Sequence, residues 1–273
     1  MFLSSLPVYW GFGSVNDEGN KVKTSEMIKV FWKSFLIQAS WSFDHMQSLG
    51  FAYAIQPVLR KLYPDQAEYE SRLRAHMEYF NTQPYLASFI LGAVARMEQD
   101  RVSGRSSSAD ISSLKTALMA PLGALGDSFF WGALKPFSAV VAVSLLMANA
   151  WWAPIVFLVL YNIVHIGLRA EMLFHGFMSA GDTAELIAHY HLTKMAKLFK
   201  AVSLTVLGGI LGMLPTWRRE FRMALPLPGA VSAAAGLLAT LILVAILRRG
   251  GSPVKLMLGL AALCLALAYG GVI

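Results

Sequence analysis

Few side chains in this sequence are of the kinds that do chemistry, and their setting narrows what that chemistry is. The stretch Met119–Gly132, MAPLGALGDSFFWG, holds a single acid, Asp127, among apolar residues, together with Gly123, Gly126, Gly132 and a proline. A phosphate-cradling loop would close on Gly-Lys-Ser/Thr, which is missing here. Two readings fit Asp127 and its neighbour Ser128. An ionisable group between apolar segments marks a ligand or ion path, and either residue suits the N-cap of a helix opening at Phe129. The readings are compatible, because helix ends line such sites. Further on, Asn162 and His165 share one helical face, with Arg169 a turn later. His175, His189 and His191 lie among mixed charges, where a histidine is more often a satisfied polar group than a ligand, so no metal is expected. Gln38, Ser40, Trp41 and Ser42 stand together. An aromatic ring with amide and hydroxyl neighbours suits a sugar, which offers a flat apolar face fringed by hydroxyls. A core tryptophan with polar neighbours bonded to backbone is the other reading. No Ser-His-Asp pattern, nucleotide motif or CxxC pair occurs, so the residues point to binding or transport rather than catalysis, with no cofactor.

The elements that must position these residues are apolar. The 273-residue chain is 56% hydrophobic and only 14% charged, where a soluble domain carries about 25% charged residues. Its mean hydropathy is +0.54. The net charge of +7 is not spread as a nucleic-acid stripe. It gathers at Lys194, Lys197 and Lys200, at Arg218, Arg219 and Arg222, and at Arg248, Arg249 and Lys255, all at the ends of apolar runs, where basic side chains anchor at lipid headgroups. Nucleic acid is excluded as a partner and membrane lipid is expected. The lone Cys264 lies in an apolar run and cannot form an internal disulfide. The opening residues lack a basic region followed by an apolar core, so no cleaved signal is expected.

Along the chain, residues 1–23 read as a loop. From Thr24 or Ser25, either of which suits a cap, Ile28, Phe31, Trp32, Phe35, Leu36, Ala39 and Phe43 recur at helical spacing and predict an amphipathic helix against the membrane or other helices. Apolar spacing continues over 44–63, interrupted by Pro57; Pro64–Tyr79 predicts a charged, exposed helix; and Asn81-Thr82-Gln83-Pro84 reads as a stop. Tyr85–Ala95 is apolar but too short to span a bilayer at about 1.5 Å per residue. Residues 98–113 read as an exposed linker. Pro136–His165 carries no charge and predicts one tilted helix or two, broken near Trp151-Trp152-Ala153-Pro154. The runs 223–247 and 256–273 predict a transmembrane hairpin turned at 248–253. Basic clusters at 194–200, 218–222 and 248–255 conflict if every intervening run crosses the bilayer. The Gly/Pro-rich run 201–217 is therefore either broken or re-entrant, lining a cavity, or a glycine-rich helix packed closely on a neighbour.

Four motifs then add a resemblance. The runs FLIQASWSFDHMQSLGFAYAIQPVLRKLYP (35–64), RAHMEYFNTQPYLASFILG (74–92), LMAPLGALGDSFFWGALKPF (118–137) and YNIVHIGLR (161–169) resemble, in order, the enzyme IID subunits of mannose/fructose/sorbose-type phosphotransferase systems. The resemblance implies an all-α membrane protein, with amphipathic and broken or re-entrant helices in its first half and transmembrane helices in its second. As a single domain over 24–273 it divides into interfacial helices (24–97), the linker (98–113), membrane segments (114–217) and the hairpin (223–273). It further implies a non-catalytic, multi-pass permease subunit of the bacterial cytoplasmic membrane. That subunit pairs with a IIC membrane subunit as a trimer of pairs and passes a hexose to cytoplasmic IIA and IIB phosphocarriers. Substrate-binding roles are expected by resemblance at Gln38, Trp41, Asn81, Asp127, Ser128, Asn162 and His165. The sequence departs from the usual pattern, which has Asn where Ser42 stands, Arg near His45, His at Gln83 and Arg at Lys135, so its sugar preference can differ. A docking or sensory membrane protein that does not transport is the alternative, and a membrane-embedded enzyme the weakest reading.

Overall fold

A computed structural model describes residues 21–179, 191–213 and 229–270, and helices make up the regular structure among them, with no strand. Expectations that fall on 1–20, on His189 and on the basic cluster 218–222 lie outside the described residues. The chain forms two compact units, Met1–Lys135 with Ile155–Lys197 and Pro136–Pro154 with Leu198–Ile273.

The first unit begins with α1 (Thr24–Ser34), whose cap is Lys23 rather than Thr24 or Ser25; the Lys23 N–H donates to Glu26 Oε2 at 3.0 Å. The helix stops at Ser34 instead of running on to Phe43, because Leu36, Ile37 and Ala39 turn back onto carbonyls three residues earlier. Its burial also differs from the expected stripe. Met27, Val30, Ser34 and Ile37 face the core, while Ile28, Trp32, Phe35, Leu36 and Phe43 are exposed. The helix has two apolar faces, and periodicity alone does not say which one the fold covers.

Helix α2 (Ser48–Leu62) packs on α1 and runs through Pro57 without breaking. A proline there leaves the Tyr53 carbonyl without its helical donor, and Lys33 Nζ of α1 supplies one at 3.4 Å while bonding Gln56 Oε1 at 3.0 Å. Helix α3 (Gln66–Ala75) is capped by Asp65, which accepts from Glu68 N at 2.9 Å. Helix α4 (Ala87–Val102) is the core element, buried from Ala87 through Ala95. Helix α5 (Ser108–Gly126) opens on a reciprocal cap between Ser107 and Asp110.

Two expectations change here. The exposed linker over 98–113 contracts to 103–107, because the charges that made it look solvated are used internally: Glu98 is fully buried in α4, and Asp100 is paired with Arg96 and Arg105. Neither Asp127 nor Ser128 caps a new helix. The chain continues from α5 into a π-helical segment, Asp127–Leu134, and on into α6 (Lys135–Met147). The glycines of this stretch permit close packing rather than a loop.

Helix α7 (Ala153–Ser179) crosses α4 at backbone contact. A Cβ at Gly92 would strike the Leu173 carbonyl, and one at Gly176 would strike the Phe89 carbonyl. Each helix thus offers a glycine where the other passes, as small residues do where helices approach closely. Gly92→Val is expected to separate the helices at a cost of at least about 1–3 kcal/mol, read as a lower thermal unfolding temperature of the detergent-purified protein.

In the second unit, α6 ends at Met147 and a turn with Asn149 at φ 61 precedes Ala153, so the uncharged run is two helices, broken at the Trp-Trp-Ala-Pro segment. Phe137 stacks on Phe199 at 4.8 Å. Helix α8 (Leu192–Met213) is regular through the glycines expected to break it, and a Cβ at Gly208 or Gly209 would meet nothing within 4 Å among the described residues. Among the described residues nothing packs closely on these glycines, and 214–217 lie outside the described residues. Helices α9 (Gly229–Arg248) and α10 (Pro253–Tyr269) are joined by a turn where one was expected, with Gly250 at φ 87, and Ser252 caps Lys255 N at the restart. Ser108–Met147 and Ala153–Ser179, 40 and 27 residues, are long and apolar enough to cross a bilayer.

Candidate functional site

Between Met119 and Met147 the only charged side chains are Asp127 and Lys135. The π-helical turn, in which the Lys135 N–H reaches back to the Phe130 carbonyl, sorts this segment into two faces. Phe129, Phe130, Ala133 and Leu134 are buried, whereas Asp127, Ser128, Trp131, Gly132 and Lys135 are exposed. Single π turns of this kind recur at functional sites. The Asp127 carboxylate makes no hydrogen bond or ion pair among the described residues. Lys135 Nζ stands 5.3 Å from the Trp131 ring centroid.

Behind this face the connection 81–84 is pinned on both sides. The Gln47 side chain pairs with the Thr82 backbone, donating to its carbonyl at 2.8 Å and accepting from its N–H at 3.2 Å, and Thr82 Oγ1 donates to the Met119 carbonyl at 2.9 Å. Gln83 Oε1 accepts from the Tyr85 and Leu86 N–H groups at the start of α4, at 2.8 and 3.0 Å. Its side chain lies flat on Gly126, where a Cβ would come within 2.7 Å of it. Gln83 Nε2 is buried without a partner among the described residues, a donor that costs stability unless something outside the chain accepts from it.

Tyr85 ties this connection to α7. Its ring meets Phe130 at 4.8 Å, Trp131 at 5.7 Å and His165 at 3.8 Å, and its hydroxyl accepts from Tyr161 at 3.1 Å. One turn on, the buried Arg169 donates to Ser34 Oγ and to the Pro84 carbonyl, each at 3.2 Å, with its guanidinium over Phe35. Tyr161, His165 and Arg169 form an i, i+4, i+8 ladder down one side of α7 that fixes Tyr85, and through it Trp131.

A second polar cluster lies in the core of the same unit. Glu98 accepts from Tyr63 Oη and Arg72 Nη2, each at 2.5 Å, and from His76 Nε2 at 2.8 Å. Burial alone would raise its carboxyl, but the hydrogen bonds from His76, Arg72 and Tyr63 outweigh it and hold the group down at about 2. Burial keeps the His76 imidazole below its usual range despite the acceptor beside it, so it donates as a neutral ring. Burial and the adjacent carboxylate push Tyr63 up. Lys115 Nζ pairs with Glu78 at 2.8 Å. These groups join α2, α3, α4 and α5. Among the described residues no three His, Cys, Asp or Glu side chains converge as metal ligands.

Residues 21–273 match the model of the PTS system mannose/fructose/sorbose family IID component. The chain belongs to this family. It is similar to the mannose-specific EIID component of Escherichia coli (strain K12), at 33% identity over 192 residues, covering 70% of this chain and 68% of that protein. It is also similar to a chain of the solved mannose transporter ManYZ in complex with microcin E492, at 27% identity and TM-score 0.57, covering 92% of this chain and 98% of that one. A further solved membrane protein aligns over the same shares at 27% identity and TM-score 0.70. The subunit is thus a helical membrane protein and a permease component of a sugar phosphotransferase system.

Seen in this IID subunit, the expected site residues separate. Asp127 and Ser128 lie together on the exposed π face. Asn81 is exposed, its backbone N–H bonded to Met119 Sδ at 3.2 Å on the helix that leads to that face. Asn162 and His165 are in direct contact at 3.4 Å, but His165 is buried against Tyr85 and Asn162 bonds the Leu158 carbonyl at 2.8 Å. Gln38 and Trp41 stand exposed after α1, Trp41 at 56%, so the core reading of this tryptophan does not hold. Trp131, Gln83 and Tyr85 are absent from the sequence-based site. A usable signal existed for Trp131, which sits midway between the only two charges of its run.

Proposed function

We propose that this IID subunit pairs with a IIC membrane subunit to form the translocating unit of a phosphoenolpyruvate-dependent sugar phosphotransferase system. The unit is a trimer of such pairs in the bacterial cytoplasmic membrane, and IIA and IIB proteins phosphorylate the hexose on the cytoplasmic side. Phosphoryl chemistry belongs to those partners, and this chain positions the sugar. The observation that carries the reading is the exposed Asp127, the only acid between Met119 and Met147 and one of two charges there. An ionised side chain at the bilayer centre costs about 2.5–3.5 kcal/mol on insertion scales, and such groups face a water-filled cavity or a protein interior. A partner subunit enclosing an aqueous sugar path satisfies that requirement. The similarity to a mannose transporter supports the substrate class.

In this arrangement Asp127, Ser128 and Asn81 border the sugar path, and Asn162 and His165 hold the ring cluster behind it. Gln38 and Trp41 belong to an interfacial edge. There Trp32, Phe35, Trp41 and Phe43 are exposed near Lys29, the pairing of aromatic rings and lysines found at headgroup level. The residues from 24 onward make up the IID region, with interfacial helices over 24–97, membrane segments over 114–217 and the apolar helices of 223–273 as a spanning anchor.

Uptake of labelled mannose, glucose, fructose and sorbose is the direct test, in cells carrying the phosphocarriers and this chain with or without its IIC partner. Uptake of at least one sugar is expected only when both membrane subunits are present. Equal uptake in the two strains for every hexose would leave no permease role.

A further inference from the structure

The exposed π face carries a large aromatic ring, Trp131, between Asp127 and Lys135. We propose that Trp131 is the stacking platform for the sugar ring, with Asp127, four residues away on the same exposed strip, accepting from the sugar's hydroxyls and Lys135 holding the other face of the indole. The inference rests on the permease reading and adds the residue that holds the sugar's apolar face.

Three observations converge on it. Asp127, Trp131 and Lys135 are spaced four apart and all exposed, while the opposite face is fully packed, so they form one continuous strip. The strip cannot be lipid-facing without placing both charges of the run in hydrocarbon. Water or a polar ligand must therefore reach Trp131 as well, although an indole 41% exposed in a membrane segment would otherwise favour lipid or a packed helix. The ring is also held before any ligand arrives, with the tilted Tyr85 ring at 5.7 Å and the Lys135 ammonium over one face at 5.3 Å. Tyr85 is in turn fixed by Tyr161 and His165. Such preorganisation lowers the entropy lost on binding. The opposite face of the indole is the one offered to the sugar. A pyranose presents a patch of C–H groups ringed by hydroxyls, and an aromatic plane with a carboxylate acceptor on the same strip is its complement.

The test compares initial uptake rates of the transported sugar in cells carrying the complete system. Trp131→Leu keeps apolar bulk without an aromatic face and is expected to raise KM about tenfold, while Trp131→Phe stays within about threefold of the parent. Both variants should co-purify with the IIC subunit as the parent does. Equal KM values for the Leu and Phe variants would reduce Trp131 to apolar packing and overturn the proposal. Loss of co-purification in the Leu variant would make the strip a subunit interface, with the same consequence. If the parent transports and Asp127→Asn does not, an unchanged KM in Trp131→Leu sinks only the stacking role. If the parent chain supports no uptake with its partner, the permease reading itself falls.

Discussion

Asp127→Asn is expected to lower sugar uptake at least tenfold while leaving the protein in the membrane and bound to its partner. Asparagine matches aspartate in size, and the Asp127 carboxylate makes no hydrogen bond or ion pair within the described chain, so the substitution removes no structural contact. It is exposed inside a continuous helical run, not at a helix start, so no cap is lost either. What disappears is a negative acceptor. A hydrogen bond to a charged group contributes about 1.5–3 kcal/mol, which corresponds to about 10–150-fold in the affinity of whatever donates to it. Asp127→Glu keeps the charge on a longer arm and should retain partial uptake. Full uptake by Asp127→Asn would remove the π face from the sugar path. Trp41→Ala in the same assay separates the two exposed tryptophan regions. As an interfacial residue Trp41 should affect the amount of assembled complex, with little change in KM.

How much of this was legible in the sequence depended on whether a residue's setting is local. Asp127 was legible because a lone acid in an apolar run is costly wherever the chain goes, and the split between α6 and α7 was legible because Trp-Trp-Ala-Pro interrupts the run within one turn. The family motifs were legible as patterns, and the match over residues 21–273 bears out that recognition. Trp131 was not singled out, because its alignment with Asp127 needs a helix that runs on through Asp127, and the sequence read as a helix opening only at Phe129. The orientation of α1 was not legible either. Met27, Val30 and Ser34 form a second, less apolar stripe beside the obvious one, and only the packing of α2 decides which is inside. Glu98 was misread for a related reason. Its local sequence is dense in charge, and the three donors that bury it come from Tyr63, Arg72 and His76, 22 to 35 residues away.

Glu98 is also where the largest loss of stability is expected. Glu98→Gln leaves the buried Arg72 without its carboxylate, and breaking a buried ion pair from one side costs about 3–5 kcal/mol, a large share of the 5–15 kcal/mol that holds a typical domain folded. Replacing both partners at once, Glu98→Leu with Arg72→Met, removes the stranded charge and should recover part of that loss. The pH dependence has a definite sign. The folded Glu98 carboxyl lies at about 2 against an ordinary value of 4.5, so its contribution is complete above pH 4.5 and drains away as pH falls toward 2, in total about 3 kcal/mol. His76 is also depressed from its usual 6.5, so its share begins to be lost as pH falls below 6.5. Thermal unfolding of the detergent-purified complex should therefore be highest near neutrality, decline below pH 6.5, and fall more steeply below pH 4.5. In Glu98→Gln the neutral-pH value drops and the steep lower limb flattens, because the group that titrates there is gone. A variant curve that runs parallel to the parent's through that limb would assign the acid sensitivity to other carboxylates and leave Glu98 as an ordinary hydrogen-bond acceptor.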